Sequence, residues 1–136
     1  MVTPVGSFTG FSGQIAVGLD AVEVPRFRAM LARRPGLRAR LFSEDELAYA
    51  ARFRDDAPRL AARFAAKEAT LKALGVGLGG ARFKELEVSR EASGAPLLRV
   101  RGQAAELARE RGLSAWAVSL THTDLMALAV VVGRGG

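Results

Sequence analysis

At 136 residues the chain has the length of one domain, and 49% of it is apolar, enough for a core that needs no covalent staple. The absence of cysteine excludes disulfides, thiolate metal sites and cysteine nucleophiles, and suits a cytoplasmic setting. The formal charge of +6 calls for an acidic partner, while one Trp and one Tyr give little for a single-strand stacking platform to use.

In chain order, residues 1–13 are rich in Gly, Ser and Thr and lack the charged start of a signal peptide. They are expected to be a flexible tail ahead of a domain over 14–136. No run reaches transmembrane length, so no membrane role is expected. Ile15-Ala16-Val17-Gly18-Leu19-Asp20 reads as a strand ending in an acid. Asp20 and Glu23 fall where that strand gives way to a helix near Pro25. A rigid strand end is a good place for a working carboxylate, and Asp is also a common helix N-cap. The residues leave both readings open.

Residues 24–40 carry Arg26, Arg28, Arg33, Arg34, Arg38 and Arg40 on a helix expected to break at Pro35-Gly36. Such a run is a solvated basic face or a docking surface for an acidic protein. Ser43-Glu44-Asp45-Glu46 reads as a capping box opening a helix over 44–54, with Leu47 and Phe53 facing in.

The next helix is the centre of the chain. Asp55 and Asp56 cap its start, Pro58 suits its first turn, and Gly75 stops it. At about 100° per residue, Leu60, Phe64, Lys67, Leu71 and Leu74 share one side, and alanines 62, 65, 66, 69 and 73 another. Glu68 lies on the border, with Lys72 one turn on. That is either an i,i+4 surface pair or a metal-binding carboxylate beside a phosphate-binding lysine. The helix runs into Gly75-Val76-Gly77-Leu78-Gly79-Gly80, whose amides can approach a ligand closely. It is not a P-loop, because the helix precedes the glycines and no Gly-Lys-Ser/Thr follows.

Residues 83–88 read as a strand, Ser93-Gly94-Ala95-Pro96 as a turn and residues 97–101 as the returning strand. A short helix over 103–111 stops at Gly112, and residues 115–120 form a third strand. Residues 127–132 form a fourth, apolar throughout and expected to be buried on both faces. Between the last two lies Ser119-Leu120-Thr121-His122-Thr123-Asp124, with the single histidine of the chain between hydroxyls. A lone histidine is usually structural or exposed; this setting suits an anion. A Ser-His-Asp triad has no nucleophile elbow to support it.

Taken together, three stretches resemble the holo-acyl-carrier-protein synthase family of 4′-phosphopantetheinyl transferases. They are residues 17–24 with Arg26 and Phe27; Arg63-Phe64-Ala65-Ala66-Lys67-Glu68-Ala69 with Lys72-Ala73-Leu74-Gly75; and Gly94-Ala95-Pro96 with Val118-Ser119-Leu120-Thr121-His122-Thr123. Thr121 departs from the more usual serine but keeps a hydroxyl.

The resemblance implies an α+β fold, a single small domain with an antiparallel sheet packed by helices. It implies transfer of 4′-phosphopantetheine from coenzyme A to a serine of an acidic acyl carrier protein in fatty acid or polyketide synthesis. It also implies a homotrimer with active sites between subunits. Carried over by position, Asp20 and Glu68 would hold Mg²⁺, and Lys72 would meet the pyrophosphate. Arg63, Lys67, Gly75, Gly77, Gly79, Pro96, Ser119, His122 and Thr123 would contact coenzyme A. His122 and its flanking hydroxyls would come from the neighbouring subunit, and Arg26, Arg28 and Arg33 would dock the carrier. Two acids from separate elements suit Mg²⁺, which keeps water and substrate phosphates as further ligands. The catalytic group is then Glu68, Lys72 and His122, with Glu68 acting through a metal-side water as first candidate for the base and His122 as second. The alternatives are a basic nucleic-acid-binding module, which lacks any helix-turn-helix, zinc or RNP signature, and a coenzyme A-binding homologue without activity.

Overall fold

The computed structural model describes residues 13–77 and 81–135. It is an α+β fold in which one central helix lies across a three-stranded antiparallel sheet. The elements are β1 (Ile15–Glu23), α1 (Val24–Arg33), α2 (Leu37–Leu41), α3 (Glu44–Ala50), α4 (Ala57–Leu74), a 3-10 turn (Phe83–Glu85), β2 (Leu86–Arg90), β3 (Pro96–Val100), α5 (Gly102–Glu110), β4 (Ala115–His122) and β5 (Met126–Arg134). The large sheet has the order β1-β5-β4, and β2 and β3 form a separate hairpin.

The central helix forms as its sequence dictates. Pro58 sits in the first turn, and Gly75 ends the helix at φ 75°, a left-handed conformation open to glycine without strain. Asp55 accepts from the Ala57 amide at 3.1 Å, so one of the two expected caps acts; Asp56 instead takes the Arg38 guanidinium. The small side of the helix, Ala65, Ala66 and Ala69, lies on the sheet against Ala129 and Val131. The approach is so close at Gly18 that a Cβ there would stand 1.7 Å from the Ala69 carbonyl oxygen. The alanine stripe and Gly18 therefore act together, setting the distance between α4 and β1.

Three expectations change. The strand expected over 83–88 begins with a 3-10 turn, because the Glu85 carboxylate bonds the Arg82 and Gln103 amides and holds the backbone curled. The helix at the capping box ends at Ala50 rather than 54. Its C-cap residue, Ala51, is followed by turn bonds from Arg52 to Tyr49 and from Phe53 to Ala50. The fourth strand is buried on one face only. Ala127, Ala129 and Val131 face α4, whereas Leu128 and Val132 are each 36% exposed on the other side. An apolar run read as doubly buried assumed a second covering layer, and all the helices that pack on this sheet come from one side. The outer face continues across Val17 and Leu19 on β1, which pair with Val132 and Val130, and Leu19 is 61% exposed.

Candidate active site

Two clusters carry the polar chemistry, and they lie at opposite edges of the large sheet. The first joins β1 to α4. Asp20, on the inner face of β1, has its side chain only 14% exposed and accepts from the Lys72 ammonium at 2.8 Å. Lys72 also donates to the Leu19 carbonyl at 3.0 Å. The lysine arm thus crosses to the strand instead of pairing with Glu68 one turn back on its own helix. Asp20 is not a helix cap: the strand runs on to Glu23, which precedes α1 without a capping side-chain bond.

Glu68 completes this cluster. Burial pushes its carboxyl above the ordinary value, and the nearby charge of Asp20 pushes it further, against the opposing pull of Lys72. A half-buried Glu68 carboxyl beside the charge of Asp20 forms a site that a cation would relieve. Hard oxygens on two rigid elements, with open sides left for water or phosphate, are the donor set Mg²⁺ takes. No group of three or more potential metal-ligating side chains exists among the described residues, so remaining positions would fall to such ligands. Gly75 follows directly, at the rim of a cavity of about 560 Å³ that also involves Ala73 and Gln14. Gly77 is exposed, with open space around its α-carbon, and Gly79 lies outside the described residues.

The second cluster lies at the β4 edge. His122, Pro96, Arg63, Arg59, Arg90 and Tyr49 line one cavity of about 220 Å³. Asp20 pairs with Ala129 on β5, and Ala129 with Leu120 on β4, so Asp20 and His122 stand two strands apart on the α4 side of the sheet. That separation is about 10 Å across the strands alone. One copy of the chain therefore does not bring His122 to Asp20. Ser119 has the opposite parity and points to the outer face beside Val130, away from His122. The Thr123 hydroxyl accepts from the Leu125 and Met126 amides at 3.1 and 3.0 Å, shaping the β4–β5 turn and leaving its own proton to donate.

Lys67 has a different place from the one expected. It is 0% exposed, and its ammonium donates to Glu46 at 2.7 Å and to the Phe83 carbonyl at 3.0 Å. Glu46, also buried, accepts from Ser43 and Val88 amides at 2.9 and 3.0 Å. With two of its three N–H donors directed inward and its side chain fully buried, Lys67 is a core residue in this chain. The capping box formed as expected, but its glutamate has the further task of neutralising a buried lysine.

On α1, Arg26 and Arg33 are exposed and unpaired among the described residues, while Arg28 pairs with Asp55 at the start of α4. Sequence reasoning passed over Tyr49, Arg59 and Arg90. The signal available was that Tyr49 is the single tyrosine of the chain.

The family model of the 4′-phosphopantetheinyl transferase superfamily matches residues 16–130. A holo-[acyl-carrier-protein] synthase of Streptomyces avermitilis is 51% identical over 121 residues, covering 89% of this chain and 98% of its relative. Among solved structures, the chain is similar to an ACPS–CoA complex of Chronobacterium ammoniagenes, with TM-score 0.79 and 28% identity over 90% of this chain and 98% of the other. It is also similar to the Helicobacter pylori holo-[acyl-carrier-protein] synthase in complex with coenzyme A, with TM-score 0.75 and 28% identity over 86% and 98% of the two chains.

Proposed function

The chain belongs to the 4′-phosphopantetheinyl transferase superfamily, and from that membership we propose how its own residues move 4′-phosphopantetheine from coenzyme A to a serine of apo acyl carrier protein, leaving adenosine 3′,5′-bisphosphate. The observation that carries the assignment of residues is the Asp20–Lys72 pair beside a Glu68 of raised proton affinity.

Asp20 and Glu68 are the residues to hold Mg²⁺. When bound, it neutralises pyrophosphate charge as the P–O bond breaks. The serine Oγ forms a bond to the phosphorus that carries pantetheine. The bridging P–O bond breaks, and its electron pair leaves on the nucleotide phosphate. Lys72 is held at the site by Asp20 and the Leu19 carbonyl, and its ammonium meets that charge. The serine proton passes to Glu68 through a water. A carboxylate whose proton affinity is raised is the better base near neutral pH.

The geometry supports a homotrimer with shared sites. The apolar outer face of the sheet is of the kind that association covers, and the half-site with His122, Arg63 and Pro96 stands at the edge opposite Asp20. Joining the β4 edge of one copy to the β1 edge of the next completes each site, and a closed ring leaves none unfilled. A direct consequence is subunit complementation. Glu68→Gln and His122→Ala proteins, each weakly active alone, should regain transfer when refolded together, because mixed rings contain an interface with both residues intact. No gain on mixing would mean that each copy carries a complete site.

Arg26 and Arg33 supply the docking face for the acidic carrier, whose approach is steered by charge. Arg26→Glu should raise KM for the carrier about tenfold while leaving KM for coenzyme A within about twofold, with the difference shrinking in high salt. Equal rises for both substrates would remove α1 from the docking surface. Arg28, partly neutralised by Asp55, contributes less.

The domain over 14–136 acts in the cytoplasm in fatty acid synthesis, or in polyketide synthesis where that carrier is the acceptor. Consistent with this, no helix of the described residues is long and apolar enough to cross a membrane. The nucleic-acid module finds no support, since family and neighbours all point to the transferase.

A further inference from the structure

Four cations converge at a place that the transfer reaction leaves unused. Arg40 on α2, Arg82 and Lys84 at the 3-10 turn, and Arg101 just before α5 line one cavity of about 630 Å³. It shares no lining residue with the cavities at Gly75 and His122. Arg40, Arg82 and Lys84 are exposed and have no carboxylate partner among the described residues. Arg101 meets Glu87 at 3.3 Å, yet its side chain stays 56% exposed. The one carboxylate in the lining, Glu85, is committed to main chain. Its two oxygens accept from the Arg82 and Gln103 amides at 3.2 and 3.0 Å.

Like charges around one concavity repel each other, and the protein walls focus their field on an entering anion. Those walls are fixed before any ligand arrives. Gly102, at φ 55°, brings the chain so near Glu85 that a Cβ there would stand 2.1 Å from its Oε2. The Phe83 carbonyl takes the Lys67 ammonium, and the Phe83 ring centre lies 5.6 Å from that of Phe64. The turn that carries Arg82 and Lys84 is therefore fastened to α4 on one side and to the start of α5 on the other. Such preorganisation lowers the ordering cost of binding.

We propose that this cavity is a second anion site, distinct from the coenzyme A site, which takes a small molecule bearing several phosphate groups. The volume is in the range of small-molecule sites, and a concavity built from three elements suits a small ligand better than the surface of a folded protein. Three guanidiniums supply forks for phosphate oxygens, and Lys84 adds a compact charge. Four cations face only the carboxylates of Glu85 and Glu87, leaving positive charge that one monoanion does not balance. The site stands whether or not the transferase reading holds.

The test titrates inorganic tripolyphosphate into the full chain by calorimetry, without metal and with coenzyme A saturating, so that the donor site is filled. One tripolyphosphate per chain should bind, at least about tenfold more tightly than inorganic phosphate. Arg82→Ser with Lys84→Ser, both at exposed positions, should weaken it at least about tenfold. Arg40→Gln, on a separate element, should weaken it at least about threefold. Arg26→Ser with Arg33→Ser removes as much charge from α1 and should leave binding within about twofold. Equal losses from the two double variants would mean general attraction to a basic chain and overturn the site. Binding absent once coenzyme A is present overturns it too, because the probe then uses the donor site. If tripolyphosphate does not bind, but the acyl carrier protein binds more weakly to the Arg82→Ser, Lys84→Ser protein, the patch belongs to carrier docking and the proposal fails.

Discussion

Glu68→Gln is expected to lower transfer at least about a hundredfold without loss of the fold. The substitution keeps the shape of the side chain and removes one of two negative charges available to a cation. It also removes the base. The effect on stability has the opposite sign. In the wild type without metal, burial and the Asp20 charge hold the Glu68 carboxyl above its ordinary value of 4.5. A group raised in the folded state contributes stability below the unfolded value and loses it as pH rises through the folded value. At neutral pH in EDTA, Glu68→Gln should therefore melt at or above the wild-type temperature. That advantage should fade as pH falls through the raised folded value and be gone below about 4.5, where the carboxyl is protonated folded or unfolded. Retention of activity would remove Glu68 from the metal site. A variant markedly less stable than wild type at neutral pH would mean that Glu68 is bonded in a way the cluster does not account for.

The second large effect is on stability. Lys67→Met leaves Glu46 as a buried charge without its cation, and removing one partner of such a pair costs about 3–5 kcal/mol. Glu46 would keep its bonds from Ser43 and Val88, which temper the loss without replacing the charge. The pair joins α3, α4, the 3-10 turn and β2, so its loss loosens the packing of four elements at once. Adding Glu46→Gln to Lys67→Met should recover part of the stability, because no uncompensated charge then remains. Urea unfolding of the single and double variants measures this. A cost under about 1 kcal/mol for Lys67→Met, or a double variant worse than the single, would mean the pair is not buried in solution.

What could be read from the sequence was whatever depends on neighbours along the chain. Pro58, Gly75 and the alanine spacing define α4, Ser43 and Glu46 define a capping box, and Gly94 at φ 91° defines the β2–β3 turn. Asp20, Glu68 and Lys72 stood out by type and order, and the fold brings them to one place. What could not be read depends on partners distant in sequence. The i,i+4 rule assigns Lys72 to Glu68, but a flexible lysine takes the nearest fixed acceptor, and β1 offers a carboxylate and a carbonyl together. A glutamate in a capping box looks solvated until the fold covers it, and only then does Lys67 become its counter-ion. The outer face of β5 is apolar yet exposed in the single chain, so counting apolar residues assigned it to the core.

The measurement that bears most directly on the central claim is the intact mass of an apo acyl carrier protein after incubation with this protein, coenzyme A and Mg²⁺. The expected result is a gain of one phosphopantetheine on the carrier, absent with EDTA and absent with Glu68→Gln. A carrier that stays apo with each acyl carrier protein tried, while coenzyme A binds, would contradict the assignment of Asp20, Glu68 and Lys72 to a working transferase. Transfer undiminished by EDTA would contradict the metal role given to Asp20 and Glu68.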